Sequence, residues 1–302
     1  QLRRILEEAD QLFRSAQDAS EYAFTCLAKK TSAQWILEGD IRGCFDNIAH
    51  DWLMEHIPMD RSILAQFLKA GYIFEDRLFP TDRGTPQGGT ISPLLANMTL
   101  DGIEELLAAK FPRMKVHFIR YADDFLVIAP TKEIAEEARD IIQEFLAERG
   151  LELSMEKTVI THIDEGFDFL GYNFRKYTGK LLIKPSRKSI ETVTEKIGRT
   201  VKKAQAWTQD ALIKALNPII RGWTNYHRHN VAAETFRNLD EYIWTVTWRW
   251  GRRRHSDKGR RWIARRYWHP EGTRNWVFRT EENKLLKCSD TKIRRHSCPK
   301  LD

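Results

Sequence analysis

Cysteine is scarce: the chain of 302 residues has four, Cys26, Cys44, Cys288 and Cys298, and no Cys-x-x-Cys pair. That scatter argues against a disulfide framework or a redox motif and for a reducing compartment such as a cytoplasm. Cys288, His296 and Cys298 lie close in sequence, but no fourth ligand stands at a useful spacing, so no zinc site is expected. No run of about 18 apolar residues exists, and no segment is expected to span a membrane. The opening Gln-Leu-Arg-Arg-Ile-Leu-Glu-Glu lacks the apolar core of a secretory signal. It also lacks an initiating Met, which suggests a processed or shortened chain. Internal repeats and low-complexity tracts are absent.

What is present is length and an uneven charge. The chain is long enough for two domains, or one large one, without covalent staples. Its net charge of +7 hides a division, because residues 1–183 carry 21 Lys/Arg against 30 Asp/Glu and residues 184–302 carry 28 against 12. An acidic half followed by a strongly basic one suggests a catalytic body joined to a polyanion-binding module.

Hydrophobic spacing places the elements. Residues 1–30 read as helix, and Trp35 to Leu37 as a strand ending at Glu38-Gly39-Asp40. Asp51 to Met54 and Ile63 to Tyr72 read as helices. Asp82 to Thr90 is a Gly-rich loop, and a single helix follows from an N-cap at Ser92, with Pro93 at its first position, to about Lys110. Thr131 to Arg149 is an amphipathic helix closed by Gly150. Leu151 to Leu153, Thr158 to Ile163, Phe167 to Phe174 and Leu181 to Ile183 read as strands. Beyond Pro185 the pattern turns helical over Ile190–Trp207, Asp210–Tyr226 and Leu239 to about Arg254. Pro218 is expected to kink or split the second of these.

The chemistry centres on Val116 to Ala129, two β-rich runs flanking Asp123 and Asp124. A tight turn ordinarily carries Asn-Gly or Asp-Gly, so adjacent acids at the tip suggest a held cation. If the sheet brings Asp40 to the same place, the acids need divalent metal to offset their repulsion. Hard oxygen ligands of this kind suit Mg²⁺, and two such ions about 4 Å apart clamp both oxygens of an in-line phosphoryl transfer. Phe45 is close enough to Asp40 to place a ring beneath a sugar, though it is equally an ordinary core aromatic. Lys157 can neutralise phosphate or be a solvated charge.

Five stretches then occur in one order: Asp40-Ile-Arg-Gly-Cys-Phe-Asp-Asn-Ile48, Gly84-Thr-Pro-Gln-Gly-Gly-Thr-Ile-Ser-Pro93, Tyr121-Ala-Asp-Asp124, Leu153-Ser-Met-Glu-Lys-Thr158 and Phe167-Asp-Phe-Leu-Gly-Tyr172. Together they resemble the palm blocks of a group II intron-encoded reverse transcriptase/maturase. Asn217-Pro-Ile-Ile-Arg-Gly-Trp-Thr-Asn-Tyr-His227 and Trp248-Arg-Trp with Arg252-Arg-Arg-His255 resemble its thumb, or domain X, and the start of its DNA-binding segment. The resemblance implies an α+β fold: a right-hand polymerase palm, an antiparallel sheet with flanking helices, followed by an α-helical thumb and a basic C-terminal segment. It divides the chain into a fingers remnant (1–34), the palm (35–184), the thumb (185–251) and an incomplete DNA-binding segment (252–302). Most of the fingers and the Cys- and His-rich nuclease module are expected to be missing.

The resemblance also implies roles. Asp40 and Asp123 are the main ligands of two Mg²⁺ ions, with Asp124 completing the acidic site. Phe45 gates the sugar, Gln87 and Gly88 contact nucleotide and template, Lys157 serves the phosphates, and Gly171 and Tyr172 lie near the primer end. The implied reaction joins a primer 3′-hydroxyl to the α-phosphate of a dNTP, copying RNA into DNA. Its implied partners are intron RNA, target DNA, a template-primer and dNTPs.

The basic half supplies the grip. Nine Lys/Arg face one acid, Asp257, between Arg249 and Arg266, with Trp248, Trp250, Trp262 and Trp268 interleaved or adjacent. Cations neutralise phosphates and indoles stack on unpaired bases. The nucleic-acid candidates are Arg187, Lys188, His227, Arg228, Arg249, Arg252, Arg253, Arg254, His255, Arg260, Arg261, Arg265 and Arg266. Trp223 and Tyr226 read as packing residues. Two alternatives stand beside the polymerase: a non-catalytic RNA-binding splicing cofactor that keeps the palm as scaffold, and, ranked last, a retron-type or phage-defence polymerase.

Overall fold

A four-stranded antiparallel sheet, built from segments far apart in sequence, positions the acids. In this computed structural model residues 15–74, 77–79, 83–85 and 91–294 are described, with backbone alone at 72–74 and 77–79. They form two units. The first holds the described residues through Phe169 plus Arg175–Leu181, and the second holds Leu170–Phe174 and the described residues from Leu182 onward.

In the first unit, α1 (Ala16–Leu27) starts at a capping box in which Ser15 and Asp18 satisfy each other's backbone amides. β1 (Trp35–Asp40) lies in the middle of the sheet, with β5 (Asp124–Ala129) on one side and β6 (Val159–His162) on the other. β4 (His117–Tyr121) completes the order β4-β5-β1-β6. Alternation along a strand sends neighbouring side chains to opposite faces. Leu37, Phe125, Val127 and Ala129 therefore share one face, buried in a core with Ala135, Ala138, Ile142 and Leu146. Those four repeat every three or four residues along the helix Lys132–Ala147, which Thr131 caps through the Ile134 amide. Each fully buried Leu or Ile there contributes roughly 1.5–3 kcal/mol. With that face sealed, Glu38, Asp40 and Asp124 fall on the other, which they share with buried Ile36, Leu126 and Ile128.

The helices expected near residues 51 and 63 form as His50–His56 and Arg61–Lys69, and the second stops before Tyr72, which opens the short strand β2 (Tyr72–Phe74), paired with β3 (Arg77–Phe79). The long helix expected from Ser92 is two, Ser92–Leu100 and Ile103–Lys110, broken at Asp101-Gly102. Ser92 is its first helical residue rather than its cap. The strand expected over Phe167–Phe174 is also two, β7 (Phe167–Phe169) and β8 (Tyr172–Tyr177), and with β9 (Lys180–Pro185) they make a three-stranded sheet.

The second unit is mainly helical. Arg187–Lys203 begins at Ser186, Gln209–His227 at Thr208, and both cap hydroxyls accept a first-turn amide. Pro218 sits inside Gln209–His227 without splitting it. The adjacent Asn217 pairs with passing backbone, donating to the Lys284 carbonyl at 2.9 Å and accepting from the Leu286 amide at 2.9 Å. Ala233–Arg254 and Arg260–Tyr267 follow, then an antiparallel hairpin of β10 (Trp268–Glu271) and β11 (Arg274–Phe278). Ile197, Leu212, Leu216, Ile220, Phe236 and Trp250 anchor the core.

Candidate active site and nucleic-acid face

The acids meet at one end of the first unit's sheet. Asp40 stands directly opposite Asp124 in the β1–β5 register, and Tyr121 pairs with Asp124 to close the β4–β5 hairpin over Ala122 and Asp123. Directly opposed antiparallel residues put side chains on one face with Cβ atoms about 4.5–5.5 Å apart, and like charges there repel. Lys157 offsets part of that repulsion: its Nζ donates to Asp40 Oδ2 at 3.1 Å. The backbone sets this up, because the Ser154 amide donates to the Asp40 carbonyl at 2.8 Å and the Lys157 amide to the Ser154 carbonyl at 2.9 Å.

Asp40, Cys44, Phe45, Asp123, Ser154 and Lys157 line one cleft of about 300 Å³. A wider cavity of about 730 Å³ is also lined by Phe45 and Asp123, together with Asn97 and Arg120. The Arg120 guanidinium is fixed there by donating to Asn97 Oδ1 at 2.8 Å. Asp124, by contrast, is exposed and lines neither cavity. Ser154 and Arg120 were missed as site residues in the sequence, although the Leu153-Ser-Met-Glu-Lys157 block contains the first. Burial, and then Asp123, push the Cys44 thiol up to about 12. Burial and the neighbouring Asp168 push Glu38 up to about 7, which halves its charge at neutral pH.

Among the described residues, no three His, Cys, Asp or Glu side chains converge closely enough to hold a metal ion by themselves. That donor set still fits Mg²⁺, which commonly takes one or two carboxylates, keeps waters and binds substrate phosphates. Asp40 and Asp123, lining one cleft of about 300 Å³, provide the two carboxylates. Gln87 and Gly88 lie outside the described residues. Their neighbours Gly84 and Thr85 are tied to the site, with amides donating to the Ile48 carbonyl at 2.9 Å and the Phe45 carbonyl at 2.6 Å.

Ala122 has a φ of +56°, a left-handed value. A positive φ at the first central residue alone is the pattern of a type II′ turn, where Gly is usual. Ala122→Gly is therefore expected to stabilise the first unit by about 0.5–1 kcal/mol, read as a higher urea midpoint with unchanged slope. An unchanged or lower midpoint would show that the turn carries no such strain.

In the second unit His227 is fully buried, which corrects its expected contact with RNA. Its Nε2 lies 2.9 Å from Ser189 Oγ, which also accepts the Trp223 indole N–H at 3.0 Å. Burial lowers its pKa from 6.5 to about 4. The unfolded chain thus binds a proton that the folded unit refuses, and the stabilisation present above pH 6.5 is lost as pH falls toward 4. Between pH 7 and pH 5 the wild type should lose roughly 2 kcal/mol that His227→Gln does not, measured by urea unfolding. Equal losses in both proteins would reassign the effect. Tyr172 is likewise buried, at 1% exposed.

The remaining basic candidates divide by what their heads already touch. Arg254 donates to the carbonyls of Gln205 and Trp207 at 2.7 Å each, and His255 lies 2.7 Å from the Tyr267 hydroxyl. Arg228 is half-buried, with its Nε hidden from solvent. Arg187 and Lys188 are exposed, the former paired with Glu191 at 2.8 Å. Arg249, Arg252, Arg253, Arg260, Arg261, Arg265 and Arg266 are exposed. Trp250 and Trp268 are core residues, whereas Trp262 is 42% exposed among those cations.

An antiparallel sheet with flanking helices, carrying acids on a β-hairpin, followed by helices, is the α+β palm fold of a nucleic-acid polymerase. The family model for reverse transcriptase (RNA-dependent DNA polymerase) matches residues 2–174, and the group II intron maturase-specific domain matches residues 190–268. The chain belongs to the reverse transcriptase family, and within it to the group II intron-encoded reverse transcriptase/maturases. The group II intron-encoded protein LtrA of Lactococcus lactis subsp. cremoris is 26% identical over 338 residues, covering 80% of this chain and 56% of that protein. Protein YkfC of Escherichia coli is 31% identical over 183 residues, covering 47% of each. This chain therefore spans about half the length of these curated relatives. Among solved structures, apo telomerase from Candida tropicalis aligns at a TM-score of 0.44 and 15% identity, covering 84% of this chain and 44% of that one. No described helix is long and apolar enough to cross a membrane.

Proposed function

We propose that this chain catalyses RNA-directed DNA synthesis and binds intron RNA to assist splicing and mobility. The observation that carries the first part is Asp40 and Asp123 lining one cleft with Phe45 and Lys157. The primer 3′-hydroxyl gives up its proton to water and attacks the α-phosphate of a dNTP in line; the new P–O bond forms as the α–β P–O bond breaks, and pyrophosphate leaves. Asp40 and Asp123 would hold two Mg²⁺ ions, with Asp124 adding charge at the rim; the ions supply Lewis-acid stabilisation of the attacking and leaving oxygens. Phe45 puts a flat ring against the sugar and disfavours a 2′-hydroxyl. Lys157, a point charge on a flexible stem, moves from Asp40 to the triphosphate when substrate enters. Gln87 and Gly88 contact nucleotide and template, and the Gly171-Tyr172 backbone lies near the primer end. Residues 35–184 act as palm and 185–251 as thumb. The exposed arginines between Arg249 and Arg266, Trp262 among them, grip RNA and target DNA by charge and stacking.

Primer extension on an RNA template with Mg²⁺ and dNTPs tests this reading: DNA products are expected, and chelation should abolish them. The exposed arginines and Trp262 of the second unit support a second reading equally, a splicing cofactor whose palm is scaffold. No extension, together with tight salt-sensitive intron binding, would decide for that one.

A further inference from the structure

The turn between β7 and β8 has two residues, Leu170 and Gly171, and both have positive φ, +49° and +76°. That pairing is a type I′ hairpin turn, which favours Asn or Gly at its first position. Leu is a poor choice there, because its Cβ crowds the following carbonyl in a left-handed conformation. Something else must hold this turn, and the helix Gln209–His227 provides it. Tyr226 Oη donates to the Leu170 carbonyl at 2.7 Å. In return Tyr172 Oη donates to the Tyr226 carbonyl at 3.1 Å. The two rings stack with centroids 5.0 Å apart and 8° between planes. Gly171 is fixed as well, since its carbonyl accepts the Ser186 amide at 2.9 Å.

The surroundings make this a rigid support. His227 packs edge-on against both tyrosines, at 5.3 Å and 5.0 Å. Ser189 ties His227 to Trp223. Tyr226 and His227 of the Gly222-Trp-Thr-Asn-Tyr-His227 stretch thus meet Tyr172, and Trp223 backs them through His227.

We propose that Tyr226 is a positioning residue for primer-end placement, holding the strained Leu170-Gly171 turn in its working conformation through the Leu170 carbonyl. This rests on the polymerase reading, in which the Gly171-Tyr172 backbone meets the primer. Tyr226→Phe keeps the stacked ring and removes only the hydroxyl. The rate constant for adding the first nucleotide should fall about tenfold, while template-primer affinity changes less than twofold. Hydrogen exchange at the Gly171 and Tyr172 amides should quicken. Leu170→Gly in the same chain should restore most of the rate, because glycine adopts the turn's φ without help; a purely structural loss would not be rescued this way. If the wild type extends primers and Tyr226→Phe alters neither rate nor exchange, the positioning role is overturned alone. If the wild type extends nothing, the polymerase reading fails and takes the primer role with it, whatever the exchange data show.

Discussion

Asp123→Asn should lower RNA-templated nucleotide incorporation by about 10²–10³ in single-turnover experiments, the loss typical of removing one preorganised electrostatic group. The same substitution should leave the first unit as stable as before, or slightly more so. Asp123 is a half-buried turn residue that makes no hydrogen bond or ion pair among the described residues, and it sits beside the opposed Asp40–Asp124 pair. Removing one of three neighbouring negative charges relieves repulsion worth a few tenths of a kcal/mol per pair. Lower activity with unchanged or raised stability is the signature of a group kept for chemistry. Asp124→Asn separates the roles within the hairpin. That side chain is exposed and lines neither cavity, so its loss should cost about tenfold or less. Full incorporation by the Asp123 variant would remove the metal assignment, whatever the Asp124 variant does.

Much of this arrangement was legible in the residues because it follows local rules. The β-branched runs around Tyr121-Ala-Asp-Asp124 gave the hairpin, and the Trp35–Leu37 run correctly ended in a strand that delivers Asp40. The charge division also has a structural meaning, since the arginine-rich turns of Arg260–Tyr267 face solvent while Ile263, Ala264 and Tyr267 face the core. That helix itself was not legible: three buried positions among so many cations leave too weak a 3.6-residue pattern. The break at Asp101-Gly102 was hidden in a pattern that a helix tolerates. Leu170-Gly171 carries no turn signal of the Asn-Gly kind, and only tertiary contacts hold it, so Phe167–Phe174 looked continuous. His227 shows the remaining limit. A polar residue type suggested a contact with RNA, whereas its exposure is decided by helices contributed from elsewhere in the chain.

Gly84→Ala should be the most damaging single-methyl change in the described part of the site. Gly84 is buried with a φ of +70°, and its amide and carbonyl are both engaged, the amide by the Ile48 carbonyl at 2.9 Å and the carbonyl by His50 Nε2 at 2.7 Å. A Cβ there would overlap the Phe45 carbonyl oxygen and approach Asp46 Cα to 2.6 Å. Those are backbone atoms, so no side-chain rotation relieves the clash. The left-handed conformation adds about 1–2 kcal/mol for any residue with a Cβ, and overpacking about 1–3 more. A loss of roughly 2–5 kcal/mol follows, visible as a large drop in the urea midpoint. Phe45 lies on the clashing segment, so any variant that still folds must move the ring to which the proposal gives the sugar. Its discrimination between dNTPs and rNTPs should therefore fall about tenfold even where incorporation survives. Near-native stability with unchanged sugar selectivity would mean that this loop does not fix Phe45. By contrast, Gly222→Ala, where a Cβ meets nothing within 4 Å on an exposed helix face, should be neutral or stabilising. The difference between the two variants isolates close backbone approach from the mere loss of a glycine.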